Sequence, residues 1–265
     1  MAVEKTGSRT LFSKGVDNFF ESTTEMSRFT VNVFREGIKP PYEFKEILNQ
    51  CFEIGIKSFL LVSVTGFILG LVLVMQSRPT LVEFGAGSYL PAMSSISIVR
   101  EIGPLVTALI CAGKIGSGIS AELGSMKVTE QIDAMEVSGT NPFKYLVATR
   151  IMATTIMIPI LTVYADTIAL FGAYTGANVT DAVNLSFYFN RVFSSLSFND
   201  VIPSFIKTVF FGFAIGLVGC TKGYYSKKGT EGVGEAANVS VVVSMLSVII
   251  IDMVVTQISS MLGYL

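Results

Sequence analysis

The sequence predicts an all-α integral membrane protein with five transmembrane helices. Three observations carry this. Charged residues make up only 15% of the 265, and hydrophobic residues 51%, whereas an average soluble domain is roughly 25% charged. Five stretches stay apolar for about the 20 residues that a helix rising about 1.5 Å per residue needs to cross a bilayer core. Lys and Arg collect on one side of those stretches.

Residues 58–76 carry no charge and form the first span. Within 84–113 the only charges are Arg100 and Glu101, which places a second span at about 91–117. The third, 151–180, holds the single charge Asp166. The fourth joins uncharged 208–221 to its flank 203–207, and the fifth, 236–265, holds only Asp252. With the N-terminus cytoplasmic, the inner segments carry 15 Lys and Arg and the outer ones three. The positive-inside rule therefore predicts a cytoplasmic N-terminus and a periplasmic C-terminus.

Residues 1–40 read as a polar N-terminal segment, the first 30 or so loosely held, with no apolar stretch resembling a secretory signal. After Pro40-Pro41, the residues Phe44, Ile47, Leu48, Cys51 and Phe52 repeat at helical spacing among Glu43, Lys45, Glu46 and Asn49. This predicts an amphipathic interfacial helix over 41–57, ahead of the five-helix domain at 58–265. The outer segment 178–202, with Phe187, Tyr188, Phe189, Phe193 and Phe198, reads as an interfacial loop. Gly66 and Gly70 in span one, and Gly212 and Gly216 in span four, each form a G-x-x-x-G face on which helix backbones can approach closely.

Several chemistries are excluded. The chain has no His, and its cysteines (Cys51, Cys111, Cys220) are far apart and odd in number, so neither a metal site nor a disulfide framework is expected. No phosphate-binding loop, dinucleotide fingerprint or nucleophile elbow is present, so no catalytic residue is assigned. A net charge of −1 gives no basis for nucleic-acid binding.

Two regions remain. The first is the set of intramembrane charges, which are costly unless they face a bundle interior or a watery cavity. Arg100-Glu101 precede Gly103-Pro104, where a bend is expected, and Lys207 enters span four within reach of Glu101. Asp166 and Asp252 read as structural charges that pair helices; a proton relay through Glu101, Asp166 or Asp252 in a secondary transporter is the alternative, and a scaffold that transports nothing is a third reading. The second region is 114–150, where Glu122, Lys127, Glu130, Asp133 and Glu136 lie among Met126, Val128, Ile132 and Met135. Thr129 is placed to cap a short amphipathic helix with Val128, Ile132 and Met135 on one face. A solvated loop and a docking helix for a cytoplasmic partner fit these residues equally.

The segments Arg100-Glu101-Ile102-Gly103-Pro104, 121–137 (AELGSMKVTEQIDAMEV) and Asn141-Pro142, with Tyr224-Tyr225, Gly229–Gly234 and Asp252, closely resemble the MlaE (YrbE) permease family. The likeness spans about 44–262 and is densest over 100–150. Lys114 stands where an Arg is common, and Gly116-Ser117-Gly118 replaces a more Ala-rich run.

The resemblance implies an inner-membrane permease subunit of an ABC system that passes phospholipid, or a similar lipid, between the inner membrane and an MCE-protein pathway to the outer membrane. It implies a homodimer, two cytoplasmic ATPase subunits that bind ATP and Mg, a periplasmic MCE-domain protein and a small STAS-type accessory subunit, with no cofactor in this chain. The coupling element to the ATPase would be 121–137, through Glu122, Met126, Lys127, Glu130, Ile132, Asp133 and Glu136. A lipid cavity would open at the dimer interface near spans one, two and five. Its apolar walls would come from Leu69, Val72, Leu73 and Met75; Arg100 and Lys207 would meet the headgroup phosphate, and Glu101 would hold the basic residues in place when the cavity is empty.

Overall fold

The five apolar stretches become five long helical spans: Phe44–Glu83, Gly87–Val128, Phe143–Asn178, Phe198–Tyr224 and Thr230–Met261. The structure, a computed structural model, describes residues 24, 26–35, 43–179 and 183–262. Among these, every regular element is helical. The α-helices, in chain order, are α1 (26–35), α2 (Phe44–Glu83), α3 (Leu90–Ser97), α4 (Gly103–Cys111), α5 (Ser117–Val128), α6 (Gln131–Val137), α7 (Thr149–Asn178), α8 (Leu185–Ser195), α9 (Phe198–Tyr224) and α10 (Thr230–Met261). The second span is built from α3, α4 and α5, joined by wider π turns at Ile98–Ile102 and Ala112–Gly116.

The third span is the hub. Of its most apolar stretch 67% is buried, against 28% in α2 and 17% in α10. Both G-x-x-x-G faces pack on it. A Cβ on Gly66 would lie 3.0 Å from the Ala165 carbonyl oxygen, and one on Gly70 would collide with that of Ala169. From the opposite side, a Cβ on Gly212 would lie 2.6 Å from the Thr154 carbonyl oxygen, and Gly216 meets the Thr154 side chain. Lipid-facing helices gain nothing from hiding apolar area from lipid, so dispersion at such close backbone approach has to hold them together. The two echoed motifs thus serve one purpose: each seats its span on α7.

Three elements differ from what the sequence suggested. The amphipathic stretch after residue 43 and the first span are one uninterrupted helix of 40 residues, whose buried stripe Ile47, Gln50, Ile54, Ser58, Val62, Gly66, Gly70 and Val74 runs its length. The stripe repeats every four residues, occasionally three, and so keeps one face on α7 with no break at the polar-to-apolar boundary.

Second, the N-terminal segment contains α1, which is docked rather than loose. Phe29 is fully buried, with its ring 4.8 Å from Phe143, 6.0 Å from Tyr224 and 5.8 Å from Tyr225. Met26, Phe29 and Val33 have helical spacing, a signal obscured by the charges around it. Apart from Thr24, the rest of 1–40, and Pro41 and Tyr42, lie outside the described residues.

Third, the aromatic segment 178–202, expected as a loop, contains the helix α8. The Asn184 side chain caps it by accepting from the Ser186 N–H at 2.9 Å, which satisfies one of the free donors of a first turn. Its Tyr188 and Val192 are fully buried with Val74, Leu90, Ala173 and Ala177 in a second core at that end of the bundle. Tyr188 shares a 3.2 Å hydrogen bond with Ser94, and burial nevertheless pushes its phenol up from the ordinary value.

Candidate functional site

The second span places Arg100 and Glu101 within its first π turn. The turn has a local cause. The N–H of Gly103 bonds the carbonyl of Ile98, five residues back. The next carbonyl, of Val99, would be met by residue 104, but Pro104 has no N–H. The Ser204 hydroxyl donates to it instead, at 2.6 Å. A proline, a widened turn and a serine from α9 therefore form one unit, and that unit aims two consecutive charged side chains at α9 and α10.

Glu101 accepts from Lys207 Nζ at 2.7 Å and from Thr256 Oγ1 at 3.2 Å. Lys207 also lies 3.0 Å from Asp252 Oδ1. Its side chain is 3% exposed, against 39% for Glu101 and 16% for Asp252. A buried ammonium is tolerated only with close counter-charges, and here it has two, from two different helices. Arg100 is held less tightly: its guanidinium is 3.6 Å from Asp200 Oδ1, beyond direct hydrogen bonding, and 26% exposed. Asp200 is also engaged at the start of α9, where its carboxylate accepts from the Ser197 N–H at 3.0 Å in a capping box.

The structure thus joins Arg100, Glu101, Lys207 and Asp252 and adds Asp200, Ser204 and Thr256, which sequence reasoning missed. Asp200 and Ser204 precede Lys207 by seven and three residues, a helical spacing that shows their shared face once Lys207 is singled out. Asp166 stands apart. It is buried, its Oδ1 has no hydrogen-bond partner among the described residues, and it presses on Gly103, where any Cβ would collide with it.

The space beside the cluster is about 10 Å³, bounded by Arg100, Glu101, Pro203 and Ser259 among others. That is room for about one water, and no lipid fits. The four expected wall residues diverge. Leu69 lines a narrow groove with Ile98, Ile102 and Ala165. Leu73 packs on the second core, and Val72 and Met75 are exposed on α2. Within one chain, none of the four lines the space beside the charges.

The segment 121–137 is a helical hairpin. The start of its second helix is not where the sequence suggested. Thr129 ends α5, and its hydroxyl donates back to the Ser125 carbonyl at 2.8 Å. The turn is made by Glu130, whose φ of 58° is left-handed, and α6 follows without a side-chain cap. Ile132 is fully buried, and Met126 and Met135 pack on the same core, so these apolar residues hold the hairpin to its own bundle. Lys127 clasps Asp133 at 2.7 Å. Glu122 accepts from Arg150 at 2.8 Å; Arg150, whose side chain is 3% exposed, also donates to the Leu146 carbonyl at 3.0 Å. Glu130, Asp133, Glu136 and Val137 remain exposed and present an acidic surface.

Comparison with known proteins agrees with this architecture. The family described as Permease MlaE matches residues 47–258. A probable ABC transporter permease protein of Rickettsia typhi is 36% identical over 247 residues, covering 93% of this chain and 95% of that protein. A probable ABC transporter permease protein of Synechocystis is 32% identical over 221 residues, covering 83% and 84%. The intermembrane phospholipid transport system permease protein MlaE of Haemophilus influenzae is 32% identical over 216 residues, covering 81% and 83%. With five spans, charges paired between three of them and a family match over four-fifths of its length, the chain belongs to the MlaE permease family.

Proposed function

We propose that the chain is the membrane-spanning permease subunit of an inner-membrane ABC system that moves phospholipid, working as a homodimer with its N-terminus cytoplasmic and its C-terminus periplasmic. The observation that carries this is Lys207 held between Glu101 and Asp252, with Arg100 beside it, within the membrane spans. A two-tailed lipid needs apolar walls and a few polar groups at a single depth.

The charges divide the work. Lys207 is fully paired and keeps the cluster folded when no lipid is present. Arg100, loosely tied to Asp200, is free to turn its planar fork to a headgroup phosphate. Because the space within one chain holds about one water, the lipid lies between two copies, against the exposed Val72 and Met75 of α2 and the largely uncovered α10. Met adapts to varied acyl chains.

The chain carries no nucleotide-binding motif. ATP and Mg belong to cytoplasmic ATPase partners, which would grip the acidic face of the α5–α6 hairpin at Glu130, Asp133 and Glu136. Because Ile132 and Met126 root the hairpin in the bundle core, a push on that face reaches the spans. A periplasmic MCE-domain protein and a STAS-type accessory subunit complete the assembly.

The test is purification of the tagged chain from its own membranes, with mass spectrometry of its partners and lipids. An ATPase subunit and phospholipid should co-purify, and Arg100→Ala should lower the lipid recovered. Transport that proceeds without an ATPase and follows a proton gradient would overturn the reading.

A further inference from the structure

A cavity of about 310 Å³ opens between the first turns of α2 and the α5 half of the second span. It is separate from the charge cluster. Lys114, on its rim, is 14 residues beyond Arg100 in the same span, or about 20 Å along the helix axis toward α6.

Its chemistry is specific. Ser58 lines it and is fully buried, and its hydroxyl has no hydrogen-bond partner among the described residues. A helix serine ordinarily satisfies itself on a carbonyl of the preceding turn, and this one does not. Lys114 is exposed and has no ion pair among the described residues. The two carboxylates that border the cavity are both engaged, Glu53 by Lys57 at 2.7 Å and Glu122 by Arg150 at 2.8 Å. The cavity therefore offers one uncommitted cation and one uncommitted hydroxyl, and its neighbouring acids are neutralised. Ile54, Ile115 and Ile119 supply an apolar wall, which suits a lipid better than a free anion.

We propose that this cavity binds the phosphate of an anionic phospholipid, as a second headgroup site at the α6 end of the bundle. Lys114 supplies the charge and Ser58 donates a hydrogen bond to a phosphate oxygen. The proposal rests on the reading of the chain as a lipid permease and adds a loading or regulatory site in the other leaflet.

The experiment is lipid retention by the full-length purified protein. It is equilibrated with vesicles containing phosphatidylglycerol and diacylglycerol, washed, and examined by native mass spectrometry. Two variants probe the site. Lys114→Gln removes the charge from an exposed position. Gly118→Phe adds bulk to the cavity from a lining residue whose added Cβ would meet nothing within 4 Å, and its thermal unfolding midpoint is compared with the wild type to confirm that it folds. The wild type should retain phosphatidylglycerol over diacylglycerol, and each variant should bind it about tenfold more weakly, as expected for a lost charge-assisted hydrogen bond or a blocked site. Unchanged retention in both variants would overturn the proposal. So would release of the lipid by excess inorganic phosphate, which would make the site one for free phosphate. Retention needs no transport cycle, so a complex that holds phosphatidylglycerol through Lys114 yet moves no lipid would overturn the permease reading alone.

Discussion

The Ser204 hydroxyl donates to the Val99 carbonyl at 2.6 Å, across 105 residues of sequence. The bond replaces one that Pro104 cannot make, within a membrane span, where an unpaired backbone carbonyl is costly. It also fixes the π turn that carries Arg100 and Glu101. Ser204→Ala should therefore cost about 1–3 kcal/mol, the price of an orphaned buried acceptor. Thermal unfolding in detergent measures it. Adding Pro104→Ala, which restores an N–H, should recover part of the loss; a strictly additive double variant would show that the serine and the proline do not act together.

Lys207→Met should destabilise the bundle and lower its yield in membranes. Removing the ammonium leaves Glu101 and Asp252 facing each other without a cation. A loss of about 2–3 kcal/mol is expected, below the ~3–5 kcal/mol of a fully buried pair because Glu101 stays partly exposed. Combining Lys207→Met with Glu101→Gln should be milder than Lys207→Met alone.

Glu130→Lys with Asp133→Lys should abolish co-purification of an ATPase while leaving thermal stability nearly unchanged. Both residues are exposed, and the Asp133–Lys127 pair is a surface pair worth about 0–1 kcal/mol. Ile132→Ala should behave in the opposite way: it loses about 2–5 kcal/mol through a core cavity, because Ile132 is fully buried. Equal loss of partner in both variants without any stability difference would contradict the division between a gripping face and a rooted face.

Gly212→Val should weaken the packing of α9 on α7. Its added Cβ alone would lie 2.6 Å from the Thr154 carbonyl oxygen, and backbone cannot yield as a side-chain tip can. A loss of about 1–3 kcal/mol is expected from overpacking, read as a lower midpoint of thermal unfolding. Gly118→Val, where a Cβ meets open space, is the control that should change little.

Phe29→Ala should cost up to about 3–5 kcal/mol, since Phe29 is fully buried against Phe143, Tyr224 and Tyr225. Faster protease cleavage near residue 29 should accompany it. No change in either measurement would mean that α1 is not part of the stable fold.

The five spans are legible along the chain alone, and so are the positions of the charges left inside them. Both follow from solvent: hydrocarbon tolerates a long apolar helix and penalises an unpaired charge, and each shows in a window of about 20 residues. The sequence also carried enough of the family pattern over 100–150 to identify the kind of protein. What it could not determine depends on which helix faces meet. Glu122 reads as a docking residue along the chain, yet it is the counter-charge of Arg150, 28 residues away. Ile132 and Met126 read as coupling residues along the chain, yet Ile132 belongs to the core and Met126 packs against it. The 40-residue α2 shows no break because its contact stripe with α7 ignores the change from polar to apolar surroundings. The tertiary structure also decided that Lys207 is shared between two carboxylates, since Glu101 and Asp252 lie 151 positions apart and meet only where the second, fourth and fifth spans cross.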